Sequence, residues 1–180
     1  MKTPAALRSA AALLSAVLLA GCAAQSAPAP SESDPVASAP AGADCGDAGV
    51  RVVVEFTVLE DAQDVDACVL ADAPTSATEV LAAAGVGTEG TLKWGDASIC
   101  RIDGRPSQEE TVRVDGFPPI HEDCDDFTPG AYWAVWVLPA GGEWAYAPVG
   151  VNELELQPGE ALGLVFTTGD GTVSLPPTAG

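Results

Sequence analysis

The clearest pattern in the chain is an alternation of apolar and polar side chains over residues 50–59. Val50, Val52, Val54, Phe56 and Val58 fall on one face of an extended backbone, with Arg51, Glu55 and Thr57 on the other, which predicts a half-buried strand. Polar residues 60–64 supply a turn, and positions 65–70 bring the chain back as the second arm of a hairpin. Ser76-Ala77-Thr78-Glu79 then fits a capping box, Val80, Leu81 and Ala84 supply an apolar helical face, and Gly85 stands where a helix stops. Strands are predicted at 91–94 and 98–102, followed by an Asp103-Gly104 turn and a polar segment with Pro118, Pro119 and the run 121–126, expected as an ordered loop. Residues 131–138 and 143–147 read as strand, turn and strand around Pro139-Ala140-Gly141-Gly142, and a strand at 161–166 completes the pattern. One helix among several strands predicts an α+β fold, with the helix packed on a mixed sheet.

Before this domain the pattern changes character. Lys2 and Arg8 precede an apolar run over 10–20 with no acid before Glu32, the arrangement of a secretory signal. The run is shorter than the roughly 20 residues a membrane-spanning helix needs. It ends in Leu19-Ala20-Gly21-Cys22, which resembles the lipobox of bacterial lipoproteins. That resemblance implies that the Cys22 thiol carries a diacylglycerol, that residues 1–21 are removed, and that the chain is held at the outer face of the cytoplasmic membrane, where two acyl chains give a stable attachment. Residues 23–44 repeat Ala, Pro and Ser without apolar periodicity and are expected to be a disordered tether. At about 3.1 Å per residue in an extended proline-rich conformation, it would reach about 70 Å. The folded domain is expected over 45–166, with residues 167–180 as a flexible tail.

Charge and cysteines narrow the setting. The chain holds 26 acidic and seven basic residues. Removing the signal takes two of the basic residues and none of the acids, leaving five against 26 and a net charge of −21. Such a surface repels nucleic acid and anionic head groups and accepts neutral or cationic partners. After Cys22 four cysteines remain, Cys45, Cys68, Cys100 and Cys124. In an exported chain an even number implies two disulfides. Three connectivities exist, and the sequential pairing of Cys45 with Cys68 and Cys100 with Cys124 is the one expected.

Within the domain the aromatic group is the best site candidate. Alternation puts Tyr132 and Trp136 on one face of their strand and Trp133 on the other, while Trp144 and Tyr146 share a face on the next. Flat rings with polar edges suit a macrocycle or a sugar, and they serve equally as core and cross-strand pairs. His121 stands alone among acids, without the several His or thiolate ligands of a transition-metal site. Asp123, Asp125, Asp126 and Asp170 lack the spacing of a calcium loop. No nucleophile elbow or phosphate-cradling glycine loop is present, so the expectation is a binding protein without catalysis, cofactor or resident metal.

Four segments carry a family resemblance. They are Cys45 with the Val-rich strand, Thr78-Glu79-Val80-Leu81 ending at Gly85, Cys100-Arg101-Ile102-Asp103-Gly104-Arg105-Pro106, and Tyr132-Trp133-Ala134-Val135-Trp136 followed by Trp144-Ala145-Tyr146. Together they are similar to the transcobalamin-like C-terminal domain family, a β-grasp-like module of bacterial surface proteins and cobalamin carriers. In the carriers the domain covers one face of bound cobalamin. The resemblance therefore implies a β-grasp-like sheet and a corrinoid or other bulky neutral ligand held by Tyr132, Trp133, Trp136, Trp144 and Tyr146, feeding a membrane transporter. The other reading is a cell-surface or cell-wall interaction protein without a small-molecule ligand. The anchor is the most direct expectation to check: Cys22→Ala should move the protein from the membrane fraction to the medium, and a variant that stayed with the membrane would contradict it.

Overall fold

The computed structural model describes residues 37–39, 45–169 and 177. The expected signal peptide, Cys22 and all of the tether except 37–39 lie outside the described residues. In chain order the elements are Ala37–Ala39 (β1), a 3-10 turn Gly46–Ala48, Gly49–Glu55 (β2), Val65–Leu70 (β3), Thr75–Ser76 (β4), Ala77–Ala83 (α1), Thr88–Thr91 (β5), Gly95–Ile102 (β6), Ala131–Leu138 (β7), Ala145–Tyr146 (β8), a 3-10 turn Val151–Glu153, Glu155–Leu156 (β9) and Ala161–Thr168 (β10). Six strands form one sheet in the order β1-β3-β2-β10-β7-β8. Its neighbours are antiparallel except β2 and β10, which run parallel through the middle with Arg51 opposite Ala161 and Glu55 opposite Val165. A hairpin, a helix, and a last strand that returns parallel beside the hairpin's first arm make the α+β mixed sheet that the pattern predicts, in the β-grasp-like form that the resemblance implies.

The inner face of this sheet holds the main core. Val50, Val52 and Val54 of β2, Val69 of β3, Trp133 of β7 and Leu162, Leu164 and Phe166 of β10 are buried there with Ala77, Val80 and Leu81 of α1 and with Ile99 and Ile102 of β6. A helix of seven residues is too short to be stable by itself, so its apolar face must be bought by this packing. Its start is set locally. Ser76 Oγ accepts from Glu79 N at 3.3 Å, and Ser76 N donates to Glu79 Oε2 at 3.3 Å, a capping box whose loss costs about 1 kcal/mol.

Several expectations need correction. β2 stops at Glu55 rather than running to residue 59 because Thr57 takes a positive φ of 51°, a region that β-branched residues rarely enter. Two bonds hold the bend: Phe56 N donates to Asp64 Oδ1 at 2.8 Å and Thr57 Oγ1 donates to Phe166 O at 2.6 Å. Val58, expected in the core, is 53% exposed as a result. The strand expected at 91–94 lies at Thr88–Thr91. Leu92 N and Lys93 N instead bond to Cys124 O and Asp125 O at 2.7 and 3.1 Å, which draws residues 92–94 out as a turn. β10 continues to Thr168, with Thr167 buried opposite Tyr132, and Pro177 is buried as well. Residues 167, 168 and 177 thus belong to the folded body rather than to a frayed tail. In the expected tether, Ala37–Ala39 pairs with residues 68–70 as an edge strand.

β2 is half-buried at Arg51 and Glu55, as its alternation predicts, but not at its middle. Val53 on its outer face is 1% exposed, and Val165 on the same face of β10, beside Glu55, is 5% exposed. A parallel pair at the centre of a sheet is covered on both sides, so the outer face too must be dry at its middle.

Covalent and ionic ties fasten the loops to this frame. The disulfides are Cys45–Cys68 and Cys100–Cys124, both with Cα atoms 5.5 Å apart, the sequential pairing expected. Closing loops of this length contributes about 3.5 kcal/mol each in the chain-entropy account. Arg101 donates to Pro106 O, Glu89 Oε1 and Glu122 O at 2.9, 2.9 and 2.6 Å. Arg105 grips Glu110 through two bonds of 2.7 and 2.6 Å and donates to Glu60 O, while its own carbonyl accepts the Trp133 indole N–H at 3.2 Å. The Cys100–Pro106 block is therefore a structural junction.

Two of these ties make stability depend on pH. Hydrogen bonds from the Arg51 guanidinium hold the Asp66 carboxyl below its ordinary value, and those from Arg105 do the same for Glu110; burial opposes both. In the unfolded chain both groups titrate near ~4. A lowered folded value means the contribution is present above that pH and disappears as pH falls through the folded values. Thermal unfolding should show Asp66→Asn and Glu110→Gln variants melting below wild type at pH ~7, with the gap closing in acid; a gap that stayed constant to low pH would contradict this.

Candidate functional site

The structure divides the five aromatics expected to bind a ligand between the two faces of the sheet. Trp133 points into the core, 5% exposed, with edge-to-face contacts to Phe56 and Phe166 at centroid distances of 5.2 and 5.3 Å. Its rings are enclosed and its N–H is taken by Arg105 O, so it takes no part in an exposed site. Tyr132, Trp136, Trp144 and Tyr146 do come together on the outer face, where Trp136 and Ala134 of β7 and Val165 of β10 form a second, smaller cluster with Tyr132 and Trp144 packed on it.

Register explains this grouping. Trp136 lies opposite Tyr146 across β7 and β8, and the two rings stack at 4.0 Å with planes 21° apart. Tyr146 is 51% exposed while Trp136 is 6% exposed, so the stack has one wet side and one dry side. Burial, and then Tyr146 alongside, push the Tyr132 hydroxyl above its ordinary pKa. Across the strand from Trp136 lies Gly163, where any side chain would meet Trp144 and Pro177. The Trp136 indole N–H is buried without a hydrogen-bond partner. A donor in that state forfeits about 1–3 kcal/mol, and such atoms are uncommon in folded proteins.

Sequence reasoning missed the extension of this aromatic strip. Phe127 is 48% exposed and lies 5.2 Å from Tyr132. Asp126 Oδ1 accepts both the Phe127 backbone N–H and the Trp94 indole N–H at 2.8 Å, and Lys93 pairs with Asp126 Oδ2 at 2.5 Å while sitting 5.2 Å from the centre of the Trp94 ring. Trp94 and Leu92 at the β5–β6 tip are 56% and 83% exposed. The available signal was the Trp94-Gly95 pair, which marks a turn rather than a strand interior.

The remaining candidates are held differently. Asp126 is engaged by Lys93 and Trp94, and Asp123 Oδ1 accepts the Asp125 N–H at 3.0 Å. His121 is exposed, with Thr111 Oγ1 at 3.5 Å from Nε2. Among the described residues, Glu89, Cys100 and Cys124 bring ligand-type atoms within 4.8 Å of one another, but the two sulfurs are joined in a disulfide, which removes the thiolates a metal would bind. Clefts of about 420 and 400 Å3 open beside Asp61 and Asp64 and beside Glu60 and Thr111; neither is lined by a β7 or β8 aromatic. A smaller hollow of about 10 Å3 lies beside Tyr132 and Phe127.

Core and face should separate on substitution. Trp133→Ala should lower stability by about 3–5 kcal/mol, whereas Tyr146→Ala should cost about 1 kcal/mol, the worth of one exposed aromatic pair; equal losses in chemical denaturation would contradict the division. No family model, no curated protein and no solved structure matches this chain.

Proposed function

We propose that this chain is a binding module displayed outside the cytoplasmic membrane, anchored through acylated Cys22, which holds a bulky neutral ligand on the outer face of its sheet and passes it to an uptake transporter. A corrinoid is the ligand class implied by the resemblance. The observation that carries this reading is the Trp136–Tyr146 stack: a flat apolar surface open on one side, next to a buried N–H with no acceptor. A planar macrocycle gains most from such a surface, because ring area is removed from water while its polar rim supplies acceptors. The two disulfides fit an oxidising compartment, and the acidic surface favours a ligand without negative charge.

A second reading, a cell-surface or cell-wall interaction protein, draws on the exposed Leu92 and Trp94 at the β5–β6 tip. Large apolar side chains clustered at a protruding tip suit contact with another macromolecule.

Tryptophan fluorescence distinguishes them. Titration with cobinamide or cobalamin should quench emission saturably, and Tyr146→Ala should weaken the apparent affinity by about tenfold or more, the effect of losing one principal aromatic contact. Emission unchanged by corrinoids would overturn the corrinoid reading and leave the surface-interaction reading to be pursued at Trp94.

A further inference from the structure

Among the described residues, Glu122 is the one charged side chain that the fold buries, at 5% exposed. Its Oε1 accepts the Cys124 N–H at 2.8 Å, and its Oε2 takes no hydrogen bond or ion pair among the described residues. Arg101 reaches this residue through the backbone, donating to Glu122 O at 2.6 Å, and spends its other donors on Pro106 O and Glu89 Oε1. A buried carboxylate needs a cation or a full set of donors; one backbone N–H falls short of that.

Glu122 lines the hollow of about 10 Å3 beside Tyr132 and Phe127. Thr91, Ser98, Thr128 and Tyr132 bring hydroxyls to the same walls, and Asp126 brings a second carboxylate. Asp126 Oδ2 takes Lys93 Nζ alone, and a carboxylate oxygen has two lone pairs, so one remains for a further partner. Thr91 is itself buried, at 3% exposed.

We propose that this hollow binds one calcium ion, held by Glu122 and Asp126 with the hydroxyl oxygens of Thr91, Ser98 and Thr128. Oxygen donors select hard cations, and two carboxylates match a divalent charge. A hollow of about 10 Å3 admits one atom-sized group and no hydration shell. That disfavours magnesium, which sheds its waters reluctantly. Cys100 and Cys124 are joined as a disulfide and offer no thiolate to a softer metal. A chain of net charge −19 also concentrates cations at its surface. The donors come from β5, β6 and the segment 122–128, gathered by the Cys100–Cys124 bond, which is why no calcium-loop spacing marks them in sequence. The ion would fasten that segment to the β5–β6 hairpin, independently of the ligand proposed for the sheet's outer face.

The test uses the full chain with both disulfides intact, stripped of metal by a chelator. Calcium titration by calorimetry, and terbium luminescence excited through Tyr132 and Trp94, should report one saturable site. At about tenfold excess over Kd, calcium should raise the thermal midpoint by about 4 °C. Glu122→Gln keeps an acceptor for the Cys124 N–H but removes the charge. It should weaken calcium binding by about tenfold or more and abolish the thermal shift. The double variant Asp123→Asn, Asp125→Asn changes exposed acids outside the hollow and should bind as wild type does. The proposal is overturned, with the hollow left to water, by any of four results: no saturable site, equal binding of magnesium, unaltered binding by Glu122→Gln, or an equal loss in the double variant. Should Glu122→Gln fail to fold, Thr128→Val decides on the same titration: weaker binding supports the site, and unchanged binding removes it.

Discussion

The parallel contact between β2 and β10 joins residues 51–55 to residues 161–165, and the rest of the molecule is arranged around that closure. The two strands lie side by side in the middle of a six-stranded sheet, so each is flanked on both edges and covered on both faces. Every residue from Ala161 to Thr167 is buried. A strand in this position cannot spend alternate side chains on solvent, and the usual solution is to cover both faces of the sheet. The inner cover is conventional: α1, the β5–β6 hairpin and the 3-10 turn at Val151–Glu153. Part of the outer cover comes from Trp144 and Pro177 over Gly163, which leaves the stacked rings of Trp136 and Tyr146 at its margin.

This constraint connects the fold to the site. The outer face must be apolar at its centre to suit the parallel pair, and it must meet water at its margin, where Tyr146 is half exposed. Aromatic side chains with polar edges satisfy both conditions. The outer face is thus an apolar surface whose centre Trp144 and Pro177 cover. The Arg51–Asp66 pair, with two bonds of 2.9 Å, marks the polar side of the same face over β2 and β3.

The second disulfide decides how far the aromatic strip reaches. Cys124, with φ of 61°, is tied to β6, and the loop behind it is fixed by Glu122 Oε1 accepting the Cys124 N–H at 2.8 Å. That places Asp126 where it holds Trp94 on one side and Phe127 on the other. Without this tie, the polar run at 121–126 has no apolar surface to bury and nothing to set its path. A single covalent bond thus extends the ring system from the sheet to the hairpin tip.

Local sequence was sufficient wherever local physics was. Val65–Leu70 and Ala131–Leu138 appear with the predicted bounds, the capping box at Ser76 and Glu79 forms as its residues dictate, and the cysteines pair with their nearest partners, because strand alternation, helix capping and short-loop closure depend on residues close in sequence. Alternation already separates Trp133 from Trp136 and Tyr132; what sequence left open is which of the two faces is the core, and the structure sets Trp133 against Phe56 and Phe166 and Trp136 against Tyr146. The break at Thr57, the displacement of residues 92–94 into a turn, the continuation of β10 through Thr168 and the burial of Pro177 have the same origin. Each is fixed by a partner distant in sequence, from 14 residues for Pro177 and Gly163 to 109 for Thr57 and Phe166 O, with Cys124 O and Tyr132 between. Period-2 patterning states that a strand has two faces; only tertiary closure determines what lies against them.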